Sequence, residues 1–273
     1  MGNRVGPALT GIGEGEMTFL KFAIPSYNRA TDLKTLPYLR SLGVADEQIY
    51  LFLNDEDQHD LYKQHNDLGN VNVVLAEGCR GIVPVRNFIA HHMTYPFIGM
   101  DDDVHGFEVA LLQRVNGGKE KPRIINLSDT FIEYLEDATK FAIRKGCGLF
   151  GFAKYSNPFY MCNQPAFHVD KPFDGRCLGY ISAPPIDIPL EIKGCDDFCL
   201  GLTYVAHGGH TVRFNRARAR VDNQQSGGCN KDDKAARYQA DLAARDYMIR
   251  RWGKVAETFL GKICPFEKYT CGV

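Results

Sequence analysis

The sequence predicts a single α/β domain with a mixed, mostly parallel sheet flanked by helices. Three observations carry that reading. Short apolar runs alternate with segments of helical period over the first hundred residues, the pattern of strand–helix–strand units. The chain has 273 residues, 44% of them apolar and 24% charged, which is enough to bury a sizeable core. No internal repeat, low-complexity tract or linker divides it. No apolar run reaches the roughly 18 residues needed to cross a bilayer, so no membrane partner is expected. Residues 1–16, "MGNRVGPALTGIGEGE", are Gly-rich and lack the apolar stretch of a signal peptide; a flexible arm is expected there, followed by the domain at 17–273.

Each element follows from its residues. Phe19 to Ile24 reads as a strand that stops at Pro25. Asn28 or Thr31 is expected to cap a helix through "TDLKTLPYLRSLG", ended by Gly43. Ile49 to Leu53 is a second strand, "EDQHDLYKQHNDLG" its helix, and Val71 to Ala76 a third strand. Ile82, Val85, Ile89 and Met93 recur at helical spacing, and "YPFIGM" is a fourth strand. Farther on, "DTFIEYLEDATKFAIRKG" is an amphipathic helix, capped by Ser128 or Asp129 and closed by Gly146. Residues 147–190 read as an irregular, aromatic-rich wall, Asp196 to His207 as a short helix, "TVRFNRARARV" as one strand, and "AARYQADLAARDYMIRRWG" as a final basic helix.

In such sheets ligands collect at the carboxyl ends of the strands. The segments "PSYNR", "NDED", "EGCRG" and "DDDV" are therefore expected to converge on one crevice. Asp101, Asp102 and Asp103 follow a buried strand directly, where three like charges call for a counter-charge. Carboxylates at this spacing suit a hard divalent cation such as Mg²⁺ or Mn²⁺, which also binds phosphate oxygens. An extended backbone would turn Asp101 and Asp103 to one side and Asp102 to the other, leaving Asp102 the most tolerant of change. Arg80 and Arg86, the latter expected at the start of a helix, would complete a diphosphate clamp. Ser26, Tyr27, Asn28 and Arg29 after the first strand, and Asn54 and Asp55 after the second, are placed to read a base or ribose.

Charge is uneven. Residues 1–200 hold 19 Lys and Arg against 26 Asp and Glu; residues 201–273 hold 13 against 7. The basic share gathers in "RFNRARAR" and from Lys231 to Lys254, a surface that suits a polyanion. Nine cysteines, with no CxxC pair and no export signal, point to reduced thiols. Cys195 and Cys199 are four apart, but a zinc site would need further ligands beside them.

A first strand ending in "IPSYNR", the helix "RGIVPVRN" and a strand ending in "DDD" resemble the nucleotide-sugar half of a GT-A glycosyltransferase. The resemblance is carried best by residues 17–105 and continues at "GCDDFCLGL", similar to the family's acidic pair at a helix start. It implies a GT-A (Rossmann-like) fold, with a donor half at 17–105 and an acceptor half at 106–273. It implies Asp101 and Asp103 as metal ligands for Mn²⁺ or Mg²⁺, and a UDP-sugar donor. Pro25 to Arg29, Asn54, Asp55, Arg80, Arg86, Asn87, Asp101 and Asp102 would then border the donor. In inverting members the second acid of the helix pair is the general base, which carries over to Asp197, with Asp196 beside it holding the acceptor. A histidine ligand usual in a late strand is absent; its place falls on Asp222. Gly227 and Gly228 would let backbone amides approach the diphosphate.

The whole chain resembles the small TET-associated glycosyltransferases of phages, which are related to the glucosyltransferase that makes base J. That likeness implies an acceptor of 5-hydroxymethylpyrimidine in DNA, and a cytoplasmic enzyme, acting in the host cytoplasm if viral. A base in a duplex must be extruded and stacked on aromatic rings; Phe152, Tyr155, Phe159, Tyr160 and Phe167 are candidates. Other readings are a glycosyltransferase acting on polysaccharide or protein, a sugar nucleotidylyltransferase, and a non-catalytic nucleotide- or DNA-binding module. "PSYNR" lacks the Gly-rich basic loop of the nucleotidylyltransferases.

Overall fold

The computed structural model describes residues 20–114, 120–221 and 234–261. The N-terminal arm, Asp222, Gly227 and Gly228 lie outside the described residues. The first half alternates as expected: β1 (Lys21–Pro25), α1 (Thr35–Ser41), β2 (Ile49–Leu53), α2 (Glu56–His65), β3 (Asn72–Leu75), α3 (Ile82–His92) and β4 (Phe97–Met100). Their four strands are parallel, with Phe22 opposite Ile49 on one side of β1 and Ile98 on the other.

Then come β5 (Val104–Arg114), β6 (Glu120–Asn126), α4 (Phe131–Arg144), β7 (Cys147–Phe152), α5 (Pro158–Asn163), β8 (Phe167–Val169) and β9 (Asp174–Tyr180). The chain continues through α6 (Asp196–Ala206), β10 (His210–Phe214), β11 (Ala217–Val221), α7 (Lys234–Trp252) and α8 (Lys254–Leu260). Eight strands form one sheet in the order β3-β2-β1-β4-β9-β7-β10-β8, and β11-β5-β6 form a second. β9 is inserted antiparallel between β4 and β7, so it begins where β4 ends.

The period of two along each strand sends side chains to two cores. Phe22, Ile24, Leu51 and Ile98 face α1, α2 and α4. Ala23, Phe52, Phe97 and Leu149 face α3, α6, α7 and α8. α4 is amphipathic because Phe131, Leu135, Ala138 and Ala142 fall on one stripe, and all four are buried.

Several expectations are corrected. Neither Asn28 nor Thr31 caps α1, which starts after Lys34; Thr35 is buried and its hydroxyl is taken by the chain around Asp101 and Val104. Thr130, not Ser128 or Asp129, precedes α4. Residues 147–190 are no irregular wall. They supply β7 and β9, two inner strands of the large sheet, whose glycines allow close approach: a Cβ at Gly179 would overlap the Phe150 ring. "TVRFNRARARV" is two strands, not one. A turn at Asn215–Arg216 passes the chain from the large sheet to the small one, and the Asn215 side chain fixes that corner by donating to the Pro165 carbonyl at 2.7 Å. The long hairpin of β5 and β6 has a mixed pattern that sequence periodicity does not reveal.

Candidate active site

The carboxyl end of the large sheet gathers the acids. The chain after β4 turns at Asp102 and Asp103 instead of staying extended. Thr35 and Lys34 hold that turn through backbone bonds to the Asp102 carbonyl at 3.1 and 2.9 Å, and the Thr35 hydroxyl donates to the Asp101 carbonyl at 2.5 Å. The turn reverses the expected grouping. Arg29 Nη1 lies 3.0 Å from both Asp102 Oδ1 and Asp103 Oδ2, while Asp101 faces the other way, to Arg86. Asp102 is therefore not the free member of the three. It is 8% exposed and accepts from the Ser26 hydroxyl at 2.5 Å; Ser26 in turn meets the Tyr62 hydroxyl at 2.5 Å. Tyr62, on the buried stripe of α2, also accepts from the Arg29 backbone N–H at 3.1 Å. The sequence reading missed Tyr62, although its place beside Leu61 in an amphipathic helix was the available signal.

Arg86 sits one turn into α3, not at its start. Its guanidinium is buried and bridges two acids, Asp101 Oδ1 at 3.2 Å and Asp196 Oδ2 at 2.5 Å, and donates to the Gly175 carbonyl at 3.1 Å. Burial alone would lower its pKa; Asp196 and Asp101 overcome that and hold it above the ordinary arginine value. Arg86 Nη1 and Asp196 Oδ2 form an ion pair without an aligned hydrogen bond, so both are buried atoms with hydrogen-bonding capacity left over.

Asp197 is placed by β9. Its Oδ2 accepts from the Gly175 N–H at 2.9 Å and its Oδ1 from the Phe198 N–H at 2.9 Å. Gly175 is required at this spot. A Cβ there would stand 2.8 Å from the Asp197 Cβ and 3.0 Å from Arg86 Nη1. No single-sequence signal in "FDGRC" marks it. Burial, then the neighbouring Asp196, raise the Asp197 carboxyl to about 7. Burial likewise raises Asp101 to about 7, against the pull of Arg86, and Asp102 to about 6. A small cavity lined by Pro25, Arg86, Met100, Asp101, Gly175 and Tyr180 lies within this cluster.

The remaining predicted residues make other contacts or stand exposed. Asn28 and Gln58 exchange two 2.9 Å hydrogen bonds, and Asp55 caps α2 through Gln58 N–H at 2.9 Å. The Asn54 amide donates to the Cys79 carbonyl. Asn87 braces the chain at Ile188 with two bonds of 2.8 and 2.9 Å, away from the acids. Tyr27 is 45% exposed at the rim, and Arg80 is exposed. Among the aromatic candidates Phe152 is core and Phe167 packs on Phe141, whereas Phe159 and Tyr160 stand out from α5. Among the described residues no three His, Cys, Asp or Glu side chains already form a metal cage. Cys195 is half-buried ahead of α6 and its thiol donates to Asp241 of α7, so it ties the two helices together.

Helices on both faces of a largely parallel sheet, with acids gathered at its carboxyl edge, make an α/β protein whose ligand site lies at the strand ends. The family model of the TET-Associated Glycosyltransferases matches residues 20–228. The chain belongs to that family and is a glycosyltransferase, which sets aside the nucleotidylyltransferase and the non-catalytic module. A mannosyltransferase from Pyrobaculum calidifontis, solved in complex with GDP-Man and Mn²⁺, is similar at 14% identity and a TM-score of 0.48, over 92% of this chain and 67% of that one. The comparison with curated proteins finds no match. No helix among the described residues is long and apolar enough to cross a membrane.

Proposed function

We propose that the enzyme is a divalent-metal-dependent, inverting glycosyltransferase that moves a sugar from a UDP-sugar to the hydroxyl of 5-hydroxymethylcytosine in DNA. The observation that carries the reading is the Arg86 bridge. It ties Asp101, at the end of β4, to Asp196, at the start of α6, so that donor-side and acceptor-side acids share one site.

The donor set fits a hard cation. Asp101 and Asp103 offer only oxygen, but they pair here with different arginines, so sharing a cation requires Asp103 to turn from Arg29; Mg²⁺ or Mn²⁺ is commonly held by one or two carboxylates with substrate phosphates completing the shell. Burial, and to a lesser degree the neighbouring carboxylates, raise Asp101, and a bound cation would offset both. Such an ion would neutralise charge developing on the departing nucleoside diphosphate. Asp222 is the third protein ligand in this reading, with Gly227 and Gly228 close to the diphosphate.

The chain's own groups divide the work. Arg29 anchors Asp102 and Asp103 in the turn; Ser26 and Tyr62 fix Asp102 in place. Asn28, Arg29, Asn54 and Asp55 border the nucleoside, with Tyr27 at the rim. Arg86 Nη1 has capacity for a diphosphate oxygen, and Asp196 Oδ2 for the acceptor hydroxyl. Asp197, raised in pKa and held by two backbone N–H groups, takes the hydroxyl proton. In this reading residues 17–105 form the donor half and 106–273 the acceptor half, the latter also lending Asp222, Gly227 and Gly228 to the donor.

The decisive experiment incubates the protein with Mn²⁺, a panel of UDP-sugars and hydroxymethylcytosine-containing DNA, followed by mass spectrometry of the nucleosides. A nucleoside heavier by one hexose or N-acetylhexosamine supports the reading. No product with any donor, alongside transfer to a polysaccharide or protein, rejects the DNA acceptor.

A further inference from the structure

The second sheet carries a feature that donor chemistry does not use. β5 leaves the acidic turn at Val104, the residue after Asp103, and its inner half is buried as far as Ala110. From Leu111 to Arg114 every residue is exposed, and across the pairing Lys121, Arg123 and Ile125 of β6 are exposed too. Successive side chains point to opposite faces, so beyond Ala110 both faces of a two-stranded ribbon stand in solvent.

The composition of this lobe is unusual for a solvated surface. Of nine large exposed hydrophobic residues among the described ones, five lie here: Leu111, Leu112, Ile125, Phe159 and Tyr160. α5 joins the ribbon because Met161 and Cys162 pack on Ala110, which leaves Phe159 and Tyr160 58% and 61% exposed. Arg114, Lys121 and Arg123 set three cations against one exposed acid, Glu120. Charge on an edge strand can simply prevent strand-to-strand aggregation. That purpose does not call for exposed leucines and aromatic rings beside it. Cations interleaved with flat apolar groups suit a polyanion that also offers base edges and faces.

We propose that the β5–β6 ribbon, with Phe159 and Tyr160 beside it, is the surface that docks the enzyme on duplex DNA. The assignment rests on the DNA-acceptor reading above. A two-stranded ribbon has a width that the major groove of B-DNA admits. Arg114, Lys121 and Arg123 neutralise phosphates, and the apolar side chains meet the groove wall. The strand also sets a distance. The eight steps from Asp103 to Leu111 span about 27 Å at ~3.4 Å per residue, equal to about eight base pairs at ~3.4 Å each. The exposed ribbon therefore grips duplex on one side of the target, from about eight base pairs away at Leu111 to about eleven at Arg114.

The test uses the full chain and duplexes of about 24 base pairs, read by fluorescence anisotropy over a range of salt, with donor hydrolysis as the control activity. The Lys121→Ala/Arg123→Ala pair should flatten the plot of log affinity against log salt by about 1.8, at ~0.9 for each phosphate that is no longer neutralised. Lys121→Glu/Arg123→Glu should weaken binding at least about tenfold at moderate salt, and donor hydrolysis should not change. On duplexes with only about three base pairs beside the target, wild type and variants should bind alike. Variants that keep wild-type affinity and salt slope on the long duplex overturn the ribbon assignment, while a wild-type enzyme that modifies DNA leaves the acceptor reading standing. A wild-type enzyme that neither binds nor modifies hydroxymethylated duplex, yet modifies another acceptor, defeats both.

Discussion

Arg86 and Asp196 meet at 2.5 Å, and the same guanidinium lies 3.2 Å from Asp101. One side chain on α3 thus spans from the end of a parallel strand to the start of a helix more than ninety residues later. Arg86→Leu should leave the half-buried Asp101 and Asp196 without their cation, a loss of at most about 3 kcal/mol seen in chemical denaturation, because both acids keep some solvent. Arg86→Lys keeps the charge but has no planar fork to reach both acids and the Gly175 carbonyl. It should fold, with a transfer rate reduced at least about tenfold.

Asp102 and Asp103 should separate cleanly. Asp103 shares Arg29 with Asp102, so Asp103→Ala leaves Arg29 paired and the fold intact, while Mn²⁺ affinity measured by calorimetry and sugar transfer both collapse. Full activity in that variant would end the metal assignment. Asp102→Ala instead strips partners from Ser26 and Arg29 together and should cost about 1–3 kcal/mol of stability.

Asp197 carries a pH signature. Its pKa is raised by burial to about 7, above the unfolded value, so its contribution to stability is complete below pH ~4 and is lost as pH rises through about 7. The fall in melting temperature between pH 5 and pH 8 should be smaller in Asp197→Ala than in wild type. Activity runs the other way. The base must be ionised, so kcat/KM should climb through pH ~7, and Asp197→Asn should slow transfer by roughly 10²–10⁴ with donor binding kept.

Gly175→Ala places a methyl group against the Asp197 Cβ and Arg86 Nη1. Both neighbours must move, and a displacement of about 1 Å at a catalytic group can cost about a hundredfold in rate. The variant should lose transfer far more than it loses stability; unchanged kinetics would show that Asp197 does not need this seat.

Much of the fold and the site is legible in the sequence, for identifiable reasons. The alternation of apolar runs over Phe22 to Met100 is enforced by burial on both sheet faces, so the four parallel strands and the site at their ends can be read directly. Asp101, Asp103, Arg86, Asp196 and Asp197 stand out as charges beside buried segments. What stays hidden depends on tertiary pairing. Tyr62 looks like any core aromatic until Ser26 and Asp102 are folded onto it. Asp102 defies the expectation of tolerance because a turn, held by Thr35, replaces the extended backbone on which alternation rests. β7 and β9 escape notice because their glycines, Gly151 and Gly179, break the apolar pattern to make room for Phe173 and Phe150.

The antiparallel insertion of β9 has a consequence for how this enzyme can be altered by recombination. β4 bonds to β1 on one side and to β9 on the other. A fragment ending at residue 126 would expose the inner edge of β4, an open template for unwanted pairing, and would lack the Gly175 seat. The chain before and after residue 105 is therefore not a pair of exchangeable modules. New acceptor specificity has to come from changes in side chains and in the projecting hairpin, with the seam between β4 and β9 left whole.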